Sequence, residues 1–294
     1  MMSELPLEQV RTLLAVVDEG TFDAAAAALH LTPSAVSQRV KALEQRTGRV
    51  LLLRTKPVRP TESGAVLVRF ARQLARLERD ARGELGLSGA GEPTRVSVAV
   101  NADSLATWFL GALGQAPGIC FELHREDEDR TAALLREGLV MAAVTSSPDP
   151  VPGCSVRPLG RMRYLPAATP EFAARYLDGP LPDLLPEAPV VVFDRRDSFQ
   201  DGFVRRLGGV AASPLRHHVP SSEGFADAVA AGLGWGMVPE VQAGPLLAAG
   251  RLVLLAPDRS VDVTLYWQQW KLDSPALAAL ADAVAGAAAR ALRR

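Results

Sequence analysis

The chain is poor in the residues that most directly announce chemistry. It has two cysteines, Cys120 and Cys154, too few for a disulfide framework and without metal-ligand spacing. Two reduced, mostly buried thiols are expected, with a redox-sensing pair as the alternative. It has four histidines. His217 and His218 fall on an expected strand, where neighbours point to opposite faces and make a poor metal pair. His124 and Cys120 share one strand and stand too far apart for a base and its nucleophile, and His30 reads as a solvated turn residue. No P-loop is present. Gly232-x-Gly234-x-Gly236 follows a helix and precedes a strand, the reverse of a dinucleotide fingerprint, and reads as a tight turn. No catalytic constellation, metal site or cofactor site is therefore expected, which argues against an enzyme.

Long apolar runs and net charge are missing too. No stretch is apolar enough to span a bilayer, and Met1-Met2-Ser3-Glu4 lacks the plan of a secretory signal, so a cytoplasmic protein with no membrane partner is expected. A formal net charge of −1 argues against a wholesale polyanion binder. The charge is unevenly placed, however. Between Leu31 and Pro60 lie Arg39, Lys41, Arg46, Arg49, Arg54, Lys56 and Arg59, opposed only by Glu44. Arginine far outnumbers lysine throughout, so the clustering carries the point: a local basic patch on a nearly neutral chain is the footprint of a DNA-binding module. With 294 residues, 48% of them hydrophobic, the chain has room for about two domains and a connector.

What is present centres on Thr32 to Glu44. Thr32 is a good N-cap, and Pro33 fits the first helical position, where no N–H is needed. Val36, Val40 and Leu43 give the helix one buried stripe, while Ser34, Ser37, Gln38 and Lys41 make a polar front suited to a DNA major groove. An ordinary surface helix is the alternative. Leu7, Val10, Leu14 and Val17 predict a first helix, and Phe22, Ala25, Ala26 and Leu29 a second one capped by Thr21, so that three short helices form a helix-turn-helix. After Gly48, the stretch Arg49–Arg54 and the turn at Pro57 and Pro60 predict a hairpin wing. Its tip would place Arg54, Lys56 and Arg59 beside phosphates of double-stranded DNA, as would Arg39 on the helix. Thr61 caps a long helix to about Gly86. Its Leu67, Phe70, Leu74, Leu77 and Ala81 form a 3-4 seam for a homodimer, with Arg69, Arg72, Arg76, Arg79 and Arg82 as wet flanks. Ser88 to Pro93 reads as a linker.

Beyond it, strands and helices alternate in two βαβαβ units, with crossovers at Met162–Ala168 and Val261–Trp270 and a last helix over Pro275–Leu292. Open α/β sheets bind ligands at the carboxyl ends of their strands. Those ends carry Asn101, Asp103 and Ser104; Thr145 and Ser146; Asp194; and Ser221, Ser222 and Glu223. Ser104 and Ser222 stand at helix N-termini able to hold a carboxylate, and Asp103, Asp194 or Glu223 can meet an ammonium or guanidinium group. Plain N-caps are the alternative for each.

Thr21-Phe22, Ala25-Ala26, Leu29, the Ser34–Glu44 run, Gly48, Leu52, Arg54 and Thr61-Glu62-Ser63-Gly64 resemble the LysR-type transcriptional regulators over the whole chain. Thr32 to Glu44 is similar in particular to the ArgP/LysG branch, as are Asn101 to Phe109, Val219 to Glu223 with Gly232 to Gly236, and Leu265 to Gln268. The resemblance implies an α/β fold: a winged helix-turn-helix with a long linker helix, then a two-lobed effector domain like a periplasmic binding protein. The corresponding domains are 1–60, 61–92, 93–163 completed by 268–294, and 164–267. It also implies a homodimer or homotetramer on promoter DNA, with lysine or arginine as effector and a basic-amino-acid exporter gene as target. The pair Ser198-Phe199 departs from the leucine–histidine pair typical of that branch. A redox-sensing regulator, a regulator of another metabolite and a sequence-tolerant architectural protein are the other readings.

Overall fold

The structure, a computed structural model, describes residues 5–87, 94–126 and 128–294; the linker expected over Ser88 to Pro93 and the leader reading at Met1 to Glu4 lie outside the described residues. Helices α1 (Leu7–Asp18), α2 (Phe22–Ala28) and α3 (Pro33–Thr47) form a bundle, followed by strands β1 (Leu52–Leu53) and β2 (Arg59–Pro60) and the helix α4 (Glu62–Glu84). Three of these helices start on threonine caps. Thr21, Thr32 and Thr61 accept the amides of Ala24, Ala35 and Gly64 at 3.1, 3.2 and 3.0 Å. Val10, Leu13, Val16, Ala25, Ala26, Val36, Val40 and Leu43 pack into one core with Val68 and Ala71 of α4. The wing is shorter than expected, with only Leu52↔Pro60 and Leu53↔Arg59 paired. The amide of Leu51 goes to Glu44 Oε1 at 2.8 Å, and Pro57 and Pro60 have no N–H for a ladder.

The remainder runs β3 (Thr94–Val100), α5 (Ala102–Ser104), a π-helical stretch Leu105–Phe109, α6 (Leu110–Leu113), β4 (Ile119–Arg125), α7 (Glu128–Glu137), β5 (Ala142–Thr145) and β6 (Cys154–Ala168). Then come α8 (Pro170–Tyr176), α9 (Leu181–Leu184), β7 (Val190–Val192), α10 (Phe199–Arg206), β8 (Arg216–His218) and α11 (Ser222–Ala230). The chain ends with β9 (Gly236–Pro239), α12 (Glu240–Ala248), β10 (Val253–Leu254), β11 (Val261–Trp270) and α13 (Pro275–Ala291). Strands β4, β3 and β5 are parallel; β11 runs antiparallel beside β5, and β6 antiparallel beside β11. The second half of β6 pairs with β9 and β10 and enters the second lobe, where β7 and β8 are parallel. The two long antiparallel strands are thus the crossovers, and the expected boundaries at 163/164 and 267/268 fall inside them.

Two expectations need correction. Arg76 is no wet flank: it is 2% exposed, and its guanidinium reaches Asp80 of its own helix, the carbonyl of Arg95 at 3.0 Å and Ser274 Oγ at 3.3 Å. Its neighbours Arg69 and Arg72 donate to the carbonyls of Arg136 and Glu137 at the end of α7, at 3.4 and 2.9 Å, where cations suit the helix dipole. Helix α4 therefore docks on the first lobe. The cysteines differ from each other. Cys154 is buried, and burial pushes its thiol up to about 11, but Cys120 is exposed on the edge strand β4. The path from β4 through β3, β5 and β11 to β6 puts four strand spacings between them, roughly 19 Å. A disulfide needs its Cα atoms within about 7 Å. Among the described residues, no helix is long and apolar enough to cross a membrane.

Candidate functional site

The front of α3 stands as the pattern of its residues requires. Thr32 spends its hydroxyl on the helix cap, and Pro33 occupies the first turn. Ser34, Gln38 and Lys41 are exposed and Ser37 half-buried, opposite the buried Val36, Val40 and Leu43. Arg39 does not join them. Its Nη1 lies 3.4 Å from Glu8 Oε2 and 3.5 Å from Thr12 Oγ1, which turns the guanidinium onto α1. In the wing, Arg54 sits over the Phe22 ring at 5.6 Å, and Lys56 and Arg59 are exposed. The exposed polar residues of α3 and the wing cations thus flank one apolar core from the outside.

A cavity of about 300 Å³ opens between the two lobes. From the first lobe it takes Asn101, Ala102 and Asp103, at the point where β3 ends and α5 begins. Tyr164 of β6 supplies the back. The loop after β7 and the start of α10 supply Phe193, Asp194, Arg196, Asp197, Ser198, Phe199 and Gln200, and Phe225, Met237 and Pro239 close the far wall. Three of the expected residues, Asn101, Asp103 and Asp194, are among these. Ser104, Thr145, Ser146, Ser221, Ser222 and Glu223 are not. Thr145 accepts the Ser147 amide at 3.1 Å and Ser221 caps α11 at 3.2 Å, so both are engaged locally. Asp194 Oδ1 accepts the amides of Arg196 and Asp197, at 2.7 and 3.0 Å, and shapes its loop. Asp197 in turn accepts the amides of Phe193 and Phe199.

The plain-cap alternative fails at the first lobe. Asn101 precedes α5 and Ser104 ends it, inside the helical run rather than at the helix N-terminus expected for it; neither makes a side-chain cap, and Asn101 Oδ1 and Ser104 Oγ are buried with no hydrogen-bond partner among the described residues. Gln200 Oε1 is in the same condition on a residue 2% exposed. Asp103 is the chemical centre. The Tyr164 hydroxyl donates to its Oδ2 at 2.6 Å, and Ser222 of the second lobe stands close enough to act on it, although its hydroxyl is directed to Gln242 Oε1 at 3.4 Å. Burial raises its pKa above the usual carboxylate value, the two hydroxyls lower it, and nearby Asp197 and Glu223 raise it again. The groups acting on this buried carboxyl are thus two neutral hydroxyls and two further acids. Such surroundings favour either the protonated carboxyl or a cation beside it. Ser222 and Glu223 act on it from behind rather than from the lining.

Most of the wall was not anticipated. Tyr164 lies in a crossover strand, and Phe193, Arg196, Asp197, Gln200, Phe225, Met237 and Pro239 carry no local motif. Several share a position: Phe193, Arg196 and Asp197 follow a strand, Pro239 ends one and Gln200 lies in the first turn of a helix, at the face where the ligand side of an α/β sheet lies. Phe199 belongs to the pair that departs from the branch pattern, and it packs against Tyr164 with ring centroids 4.9 Å apart.

Residues 7–65 match the bacterial regulatory helix-turn-helix protein, lysR family, and residues 90–289 match the LysR substrate binding domain. The chain is 48% identical over 286 residues to the lysine export transcriptional regulatory protein LysG of Corynebacterium efficiens, covering 96% of this chain and 97% of that protein. The crystal structure of ArgP from Mycobacterium tuberculosis superposes with a TM-score of 0.92 at 49% identity, over 97% of this chain and 98% of its own. Full-length LysG from Corynebacterium glutamicum with bound effector Arg superposes with a TM-score of 0.87 at 43% identity, over 98% and 100%. Helix-turn-helix, linker helix and two-lobed domain all agree: the chain belongs to the LysR family of bacterial helix-turn-helix regulators.

Proposed function

We propose that the chain is a transcriptional regulator, not an enzyme, that reads promoter DNA with α3 and its wing and senses lysine or arginine between its lobes to control a basic-amino-acid exporter gene. The observation that carries the effector reading is Asp103, a buried carboxyl held by Tyr164 beside further acids in a cavity of about 300 Å³. That floor suits a cationic head. Arg196, in the same lining, suits the carboxylate that an amino acid carries at its other end. The relatives named for lysine export and for bound arginine support the same effector class.

Ser34, Ser37, Gln38 and Lys41 are the residues we assign to base and phosphate contact, with Arg54, Lys56 and Arg59 on phosphates. Arg39, drawn to Glu8, positions α3 instead. A homodimer would bring two such helices to two half-sites. The seam on α4 supports it, because Phe70, Leu77 and Ala81 are exposed and Leu67 and Leu74 half-buried, while Gly64, Val68, Ala71 and Arg76 face inward.

Calorimetric titration of the full chain with arginine, lysine and the uncharged norleucine tests the effector half. Saturable binding of a basic amino acid and none of norleucine is expected; heat from norleucine alone, or from none of the three, overturns it. For DNA, Ser37→Ala and Gln38→Ala should lose about 1–3 kcal/mol on the exporter promoter and little on random duplex. Equal losses on both would make the contacts non-specific.

A further inference from the structure

Charge alone does not separate the two basic amino acids, because an ammonium and a guanidinium both neutralise Asp103. They differ in shape and hydration. The ammonium is a compact, strongly hydrated point charge with three donors in a tetrahedral spread, whereas the guanidinium is planar, weakly hydrated and carries five donors in its own plane. We propose that Phe199 is the residue by which this cavity prefers a guanidinium to an ammonium head, an inference that rests on the cavity being a basic-amino-acid site.

Phe199 opens α10 and lines the cavity beside Tyr164, the two rings 4.9 Å apart and tilted by 45°. Tyr164 is fixed by its hydroxyl, which donates to Asp103 at 2.6 Å. The aromatic pair therefore stands next to the carboxyl that receives the charge. A guanidinium laid on an aromatic face keeps its donors free around its rim, and the rim here meets the oxygens of the Asp103 carboxyl in the same lining. An ammonium pressed on the same face turns part of its tetrahedral set away from these oxygens and surrenders strong hydration. Phe199 rather than Tyr164 sets the preference cleanly, because changing Tyr164 would also alter the proton balance of Asp103.

The test is calorimetric titration of the full-length protein with arginine and with lysine, in the wild type, Phe199→Leu and Phe199→Tyr, with thermal melting as the check on folding. The wild type should bind arginine more tightly. Phe199→Leu should weaken arginine about tenfold and lysine less than about threefold, so that the preference collapses, and Phe199→Tyr should keep it. If Phe199→Leu does not fold, Phe199→Met fills similar space without a ring and carries the same expectation. Equal binding of both amino acids by the wild type, or equal loss of both in the ringless variants, overturns the role of Phe199 and leaves the effector reading standing. Binding of neither by the wild type overturns both.

Discussion

Replacing Arg76 by methionine keeps the length of the side chain on α4 and removes a guanidinium that holds three parts of the molecule together. Its Nε and Nη2 reach the Asp80 carboxylate at 3.0 and 2.9 Å, Nη1 donates to the Arg95 carbonyl at 3.0 Å and Nη2 to Ser274 Oγ at 3.3 Å. Without it, a carboxylate, a strand carbonyl and a hydroxyl lose their partner in a place where water enters poorly. Removing one member of a buried pair costs about 3–5 kcal/mol, more than the pair itself contributes. Asp80 retains some exposure, with its side chain at 16%, so the low end applies and a loss of about 3 kcal/mol is expected. All four tryptophans lie at 108 or beyond, so their fluorescence follows the lobes while helical circular dichroism also follows the N-terminal bundle. Urea unfolding of Arg76→Met should separate the two signals, which should coincide in the wild type. Arg76→Met with Asp80→Leu should recover most of the loss, because no charge is then left unpaired. A loss under about 1 kcal/mol with coincident signals would show that water replaces the guanidinium and that α4 is not anchored through it.

Gly138 adopts φ +73°, and a Cβ there would stand 2.9 Å from Arg69 Cα; Gly138→Ala should loosen α4 from α7 and lower the melting temperature, and an unchanged melt refutes the close approach. Gln268, 1% exposed, donates to the carbonyls of Ser147 and Asp149 at 3.3 and 2.9 Å and accepts the Val151 amide at 3.0 Å. Gln268→Leu should cost about 2–3 kcal/mol in urea unfolding, and a neutral result would mean that the 147–151 turn holds itself. Asp103 has a folded pKa raised above 3.8 by burial, so the ligand-free native state binds the proton more tightly than the unfolded chain. Its stability should fall as pH rises through the window between the two values, and Asp103→Asn should flatten that segment. A cation prefers the ionised form, so arginine affinity should weaken as pH falls through the same window; affinity independent of pH there would remove Asp103 from the cation site.

The N-terminal module was legible because its signals are local. A threonine three residues before the amide it caps, a proline at the first helical position and valines four apart need nothing from distant chain. The wing was legible in place but not in length, since the Leu51 amide is taken by Glu44, a side chain on the preceding helix. Arg76 shows the opposite limit. Its i+4 partner Asp80 can be read on one helix, but Arg95 and Ser274 are 19 and 198 residues away, and only they make burial tolerable. The cavity divides the same way. Asn101, Asp103 and Asp194 follow strand ends, a position visible in the alternating pattern. Tyr164 and Gln200 reach the same space only because the crossover β6 and the loop after β7 converge there, and no spacing along the chain encodes that meeting.

Strand β3 connects the two places where this molecule is most tightly organised. Arg95, near its start, gives the carbonyl held by Arg76 of the linker helix; Asn101 and Asp103 follow directly from its end and line the cavity. Between them Val96, Val98, Ala99 and Val100 are buried, and the strand is bonded to β4 on one side and β5 on the other. Seven residues of strand span roughly 20 Å, and a strand packed at crystal-like density in the middle of a sheet moves as a body rather than bending. Asp103 also takes the hydroxyl of Tyr164 on β6, the strand that runs on into the second lobe, so the same carboxyl that faces the cavity is joined to a crossover between the lobes. A cation at Asp103, as proposed, would therefore act on a residue whose strand reaches the anchor of α4, and α4 carries both the proposed dimer seam and, through the contact of Arg72 with Asp18, the N-terminal bundle.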